Sequence, residues 1–101
     1  MRAWLSFEDG ALSAYMRRGI GYVTIANVEV NASRRRRGVF SRFIATVEAE
    51  LRQRGEPSTL VIENVNNPVL SDWCRRHGWQ LRQIGPEADR LSPTFTKEIA
   101  P

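Results

Sequence analysis

One cysteine and one histidine, Cys74 and His77, are all the chain has of thiol and imidazole chemistry. A lone thiol closes no internal disulfide. Without a Cys-x-x-Cys pair or a second histidine, no structural metal site is expected. A single thiol fits a reducing compartment, so a cytoplasmic location is the expectation. No apolar run approaches the roughly 18 residues that a membrane-spanning helix needs, and no signal-peptide pattern opens the sequence. Internal repeats, low-complexity tracts and interdomain linkers are lacking too. So are the Gly-Lys-Ser/Thr ending of a P-loop and the G-x-G-x-x-G dinucleotide fingerprint.

What is present is ordinary in bulk and uneven in detail. The 101 residues read as one domain, 1–101, of a size that buries about two thirds of its unfolded surface. An apolar content of 42% and a charged content of 26% suit a globular protein. The formal charge is +4, and Arg34, Arg35, Arg36 and Arg37 hold most of the excess. Such a cluster suits a nucleic acid, an acidic protein or the phosphates of a small ligand. Taken alone, it is most often a solvated run.

Ala3, Leu5 and Phe7 alternate within residues 2–8, which predicts a half-buried strand, and Asp9-Gly10 is a hairpin turn signal. Residues 11–17 return as a second strand, and Gly19-Ile20-Gly21 turns into a third, β-branched strand over 22–30. Phe40, Phe43, Ile44, Val47 and Leu51 then form one helical stripe, with Gly55 and Pro57 as the stop. Residues 58–63 are a short apolar strand expected to pair parallel with 22–30. Asn67-Pro68 starts a second helix whose stripe is Leu70, Trp73, Cys74 and His77, and Gly78 ends it. Trp79, Leu81 and Ile84 continue as a strand, 85–93 is a loop, and 94–99 closes the sheet. The fold class is α/β: an antiparallel meander followed by a βαβ unit in one mixed sheet, with two main helices.

A strand that enters a glycine-containing turn and then a helix suits phosphate, because free N–H groups and the positive end of the helix dipole converge there. Gly38 allows close approach, and arginines supply forked hydrogen bonds. The run Val30-Asn31-Ala32-Ser33-Arg34-Arg35-Arg36-Arg37-Gly38-Val39-Phe40 resembles motif A of the GNAT N-acetyltransferases, Gln/Arg-x-x-Gly-x-Gly/Ala. Arg35 and Gly38 match it. Phe40 takes the last small-residue position, a departure shared by family members reading Gly-Ile-Phe. The run from Asn67 to Trp79 resembles motif B, with Asn67 opening the helix and Gly78-Trp79 in place of Gly-Phe. The resemblance covers roughly residues 22–82.

This resemblance implies that acetyl-CoA and an amine bind together and that the amine attacks the thioester directly. It places the pyrophosphate on Arg35, Arg36, Arg37, Gly38, Val39 and Phe40, the pantetheine arm beside Val28 and Val30, and Asn67 in the same cofactor site. A backbone N–H of strand 22–30 would hold the oxyanion, a donor of a kind worth about 3 kcal/mol. An alkylammonium with a pKa of about 10.4 must first lose a proton. Glu29 is the first candidate base and Glu63 the second; alternation puts Asn27 and Glu29 on one face. Glu29 reads equally well as a solvent-facing strand residue. Cys74 stands where the family often has a tyrosine that protonates the leaving thiolate, and its other reading is a small buried hydrophobe. His77 reads as a packed or capping residue, and Trp73 and Trp79 as core. Arg75 and Arg76 complement the helix dipole, and a contact with the ribose phosphate is their other role.

Family members of ordinary length place one or two helices between their first strands, helping to build the acceptor pocket, and here three strands use those thirty residues. An open acceptor site follows, suited to a large amine such as a protein lysine, or completed by a second copy in a homodimer. Two other classes stay open: an inactive acyl-CoA-binding or protein-interaction domain acting as regulator or inhibitor, and a nucleic-acid-binding module. Against the last, Phe40 and Phe43 fit the core stripe rather than an exposed stacking platform.

Overall fold

The computed structural model describes residues 2–34, 37–63, 65, 68–82 and 93–101. Alternating apolar residues build the meander of β1 (Arg2–Phe7), β2 (Leu12–Gly19) and β3 (Tyr22–Val30). Asp9 and Gly10, with φ of 54° and 84°, form the type I′ turn between β1 and β2, and the Ala11 N–H donates to the Glu8 carbonyl at 3.1 Å. The expected strands 2–8 and 11–17 are thus observed as 2–7 and 12–19.

Helix α1 (Val39–Gln53) buries Val39, Phe43, Ile44, Val47 and Leu51. Phe40, read as part of this stripe, is only half-buried. Gly55, with φ of 74°, takes the left-handed position after the helix, and its N–H reaches the Arg52 carbonyl at 3.2 Å. Strand β4 (Ser58–Ile62) runs parallel to β3, pairing Tyr22–Ile25 with Thr59–Ile62. Helix α2 (Pro68–Arg76) starts at the proline, as its fixed φ favours, and β5 (Gln80–Arg82) and β6 (Thr94–Ile99) follow. The sheet order is β1-β2-β3-β4-β6-β5, a mixed α/β architecture with antiparallel meander and βαβ unit. The expected strand residue Ile84, and the loop reading over 85–92, lie outside the described residues.

Both helices pack on one face of the sheet. Phe7 meets Phe43 of α1 edge-on at 5.4 Å, Lys97 of β6 reaches Glu48 of α1 at 2.7 Å, and the Arg75 guanidinium stands 5.6 Å over the Phe95 ring. Leu12, Ile25, Phe43, Leu60, Ile62 and Phe95 fill the space between, all fully buried. Truncating Phe43 to alanine would cost about 3–5 kcal/mol by opening a cavity there. Among the described residues, no helix covers the opposite face. That face displays Trp4 and Tyr15, with ring centroids 5.3 Å apart, and the Arg17–Glu63 ion pair. No described helix is long and apolar enough to cross a membrane.

Candidate functional site

The site begins with an irregularity in β3. Val23 and Ile25 lie in the core between sheet and helices, so simple alternation would send Asn27 and Glu29 there next. Instead the register slips: Ser13 pairs with Glu29, but Tyr15 pairs with Ala26. Three steps along β3 match two along β2, and Asn27, with φ of 51°, is the extra residue of a β-bulge. Val28 and Val30 thereby turn to pack against the core, and Glu29 between them is exposed. Uninterrupted alternation through Asn27 and Glu29, expected from the sequence, does not hold.

Just before the bulge, the β3–β4 ladder ends. Its last bond runs from the Glu63 N–H to the Ile25 carbonyl at 3.0 Å. Beside that end lies a cleft of about 790 Å³. Val28, Glu29 and Val30 form one wall; Arg34 and the first turn of α1, Gly38 to Ser41, form the floor; Val69, Leu70 and Trp73 of α2 close the other side.

The α1 end of this cleft is prepared for an anion. The Asn31 Oδ1 accepts the Ser33 N–H at 3.0 Å and the Ser33 hydroxyl at 2.8 Å, which starts a short 3-10 turn over Ala32–Arg34. Gly38, at φ 73°, precedes the helix and gives its N-terminus no side-chain cap, and the first turn contains no acidic residue. The first helical bond is Arg42 N–H to the Gly38 carbonyl, 3.0 Å, so the N–H groups of Val39, Phe40 and Ser41 have no intrahelical acceptor. The positive end of the helix is therefore uncompensated by its own sequence.

Arg42 holds this turn in place. Its Nε and Nη2 donate to the two Glu8 carboxylate oxygens at 2.7 and 2.8 Å, and its Nη1 donates to the Arg37 carbonyl at 2.7 Å. The hydrogen bonds from Arg42 hold the Glu8 carboxyl below its ordinary value of 4.5. Arg34 adds a bond to the Glu8 carbonyl at 3.2 Å. The β1–β2 turn is thus tied to the start of α1.

On the other side, Trp73 joins the two helices. Its Nε1–H donates to the Ser41 hydroxyl at 3.0 Å, its ring meets Phe40 edge-on at 4.7 Å, and His77 stacks on it at 4.2 Å. His77 is exposed and its Nδ1 lies 2.8 Å from the Trp73 carbonyl, a C-terminal cap. Trp73 thus packs on the core, as expected, and also lines the cleft, whereas Trp79 is simply buried, as expected.

Of the residues singled out from sequence, the cleft brings together Val28, Glu29, Val30, Gly38, Val39 and Phe40. Arg37 is exposed beside it and does not line it. Arg35, Arg36 and Asn67 lie outside the described residues. Cys74 does not line the cleft: it is fully buried, and burial pushes its thiol up to about 12. Glu63 is paired with Arg17 on the face without helices. Arg76 pairs with Asp72 at 3.0 Å, and Arg75 covers Phe95. Ser41 and Val69 line the cleft without having been singled out; Arg34, read as part of the basic cluster, and Leu70, read as part of the α2 stripe, line it too. The described residues contain no cluster of three or more metal-ligating side chains.

No protein-family profile matches the chain, and no curated protein sequence matches it. Solved structures do. One described as an acyl-CoA N-acyltransferase from Klebsiella pneumoniae superposes with a TM-score of 0.71 at 21% identity, over 90% of this chain and 65% of that one. A ribosomal-protein alanine N-acetyltransferase from Escherichia coli gives 0.70 at 18% identity, over 97% and 70%. Nourseothricin acetyltransferase gives 0.60 at 23%, over 93% and 62%. The chain spans roughly two thirds of the length of these structures and shares their fold.

Proposed function

We propose that this chain, which has the fold of the GNAT acetyltransferases, is an acetyl-CoA-dependent N-acetyltransferase that passes acetyl directly to an amine of a large acceptor, foremost a protein lysine. The observation that supports it most is the uncapped, glycine-led start of α1 opening into the cleft where the β3–β4 ladder ends. A pyrophosphate fits those requirements: several free N–H groups, a helix dipole without a carboxylate, and adjacent arginines. Acetyl-CoA, when bound, would supply the activated acyl thioester.

In this reading Gly38, Val39 and Phe40 hold the pyrophosphate through their main chain, with Arg35, Arg36 and Arg37 as the basic approach. Val28 and Val30 flank the pantetheine arm, and Asn67 is assigned to the same cofactor site. Glu29 is the general base. It is exposed at the cleft and has no ion-pair partner among the described residues, whereas Glu63 is held by Arg17. Cys74 is assigned to packing. A thiol at about 12 is a poor donor to a departing thiolate whose own pKa lies near 8.5, about that of a free cysteine.

The second reading is an inactive acyl-CoA binder acting through protein contact, favoured by one observation: the group at the family's acid position is buried away from the cleft. Calorimetry with acetyl-CoA, followed by thiol release against lysine peptides, polyamines and aminoglycosides, separates the two. Binding with release supports the transferase; binding without release on any acceptor supports the inactive binder; no binding at millimolar ligand sinks both.

A further inference from the structure

The face that bears no helix has a pattern of its own. In the register of the meander, Glu29 lies opposite Ser13, and Ser13 lies opposite Ser6; one row back, Ala26 lies opposite Tyr15, and Tyr15 opposite Trp4. Trp4 is 66% exposed, yet its ring is held against Tyr15. Trp4 is two strands from β3 and two residues behind Glu29, at about 4.8 Å per strand and about 3.4 Å per residue, which puts it about 12 Å from the carboxylate's backbone. Three or four extended residues cover that distance, at about 3.4 Å each.

The charges on this part of the face name the complement. Arg17 is paired with Glu63, which leaves Glu29 as the carboxylate lining the cleft, with no ion-pair partner among the described residues. A cation suits both the carboxylate and the rings, since indole and phenol faces attract ammonium and guanidinium groups and shield their aliphatic stems.

We propose that this face seats the acceptor as a short, extended, positively charged peptide segment, with a cationic side chain on Trp4–Tyr15 and the reactive lysine at Glu29. The proposal rests on the acetyltransferase reading and names its substrate class. The polar Ser6–Ser13 row between the two points accommodates the backbone of such a segment without demanding a particular sequence.

The test compares the wild type with Trp4→Ala, whose side chain is mostly in solvent, so that the fold is preserved. The probes are an N-terminally blocked peptide with one lysine among arginines, its counterpart with glutamates replacing the arginines, and a small monoamine. The arginine peptide should be acetylated with the highest kcat/KM. Trp4→Ala should raise its KM roughly two- to five-fold with kcat unchanged, and should leave monoamine turnover and acetyl-CoA affinity as they were. An equal or better glutamate peptide, or an arginine-peptide KM indifferent to Trp4, overturns the proposal while monoamine turnover keeps the enzyme reading alive. Direct binding of the arginine peptide, followed by fluorescence polarisation, separates the opposite case. Trp4-dependent binding with no turnover of any amine leaves this surface standing and removes the transferase.

Discussion

Replacing Gly38 by leucine tests the anion site where it is most exposed to failure. At φ 73° a residue with a Cβ sits in the left-handed region at a cost of about 1–2 kcal/mol. Loss of glycine's freedom in the unfolded chain returns about 0.4–1 kcal/mol, so the net cost is at most about 1.6 kcal/mol. Among the described residues, the one atom a Cβ would meet is the Arg42 Nη1 at 3.3 Å, the tip of a side chain that must shift by a few tenths of an ångström. The fold should therefore survive, with a melting temperature lower by at most about 13 °C. Ligand binding should not survive, because Gly38 itself lines the cleft and a leucine there adds bulk beside the free N–H groups of Val39 and Phe40. Acetyl-CoA at a hundred times its Kd adds about 2.7 kcal/mol to a protein that binds it. For a domain of this size that is roughly 11–22 °C. The assay is a pair of melts, with and without acetyl-CoA, on wild type and Gly38→Leu. The variant should melt cooperatively and show no ligand-induced rise; a rise equal to that of the wild type would refute the placement of the phosphates.

Three further outcomes are expected. Glu29→Gln should lower kcat by about 10²–10⁴-fold at neutral pH, with the deficit easing as pH rises and more acceptor amine loses its proton unaided; a pH–rate profile identical to wild type removes Glu29 from the chemistry. Cys74→Ala should keep kcat within about two-fold while lowering stability, and native Cys74, with about one thiol in ten thousand ionised at pH 8, should react with a thiol reagent only after unfolding. Glu8→Gln should destabilise the protein at pH 7. Because the Glu8 carboxyl titrates below 4.5 when folded, the difference from wild type should persist above that value and vanish as pH falls through the lowered one, measured by melts across the acid range.

Most of the fold was legible because its elements are locally consistent. The β3 strand at 22–30, the β6 strand at 94–99, the Gly55 stop of α1 and the Pro68 start of α2 all fall where turn chemistry and periodicity put them. The bulge at Asn27 was missed, although its trace is in the sequence. The apolar residues of β3 shift phase, from odd positions at Val23 and Ile25 to even ones at Val28 and Val30, and one extra residue must lie between. The place of Trp73 at the cleft was missed for a different reason. Helical periodicity reports which side of a helix is apolar, but not whether that side meets a neighbour or a cleft at its end. Ser41 carried no signal at all, since its role depends on an indole from another helix. The buried state of Cys74 was legible as one of two readings, and only packing distinguishes them.

The pairing of Lys97 with Glu48 has a practical side. Lys97 is the only lysine in the chain, every other cationic side chain being arginine. Its ammonium lies 2.7 Å from a carboxylate on the helical side of the sheet, with the sheet between it and the surface proposed for the acceptor. A catalyst that modifies lysine side chains would thus present almost nothing of its own for modification. Incubated with acetyl-CoA alone, it should accumulate no ladder of side-chain adducts, since Lys97 is the one lysine that could carry one.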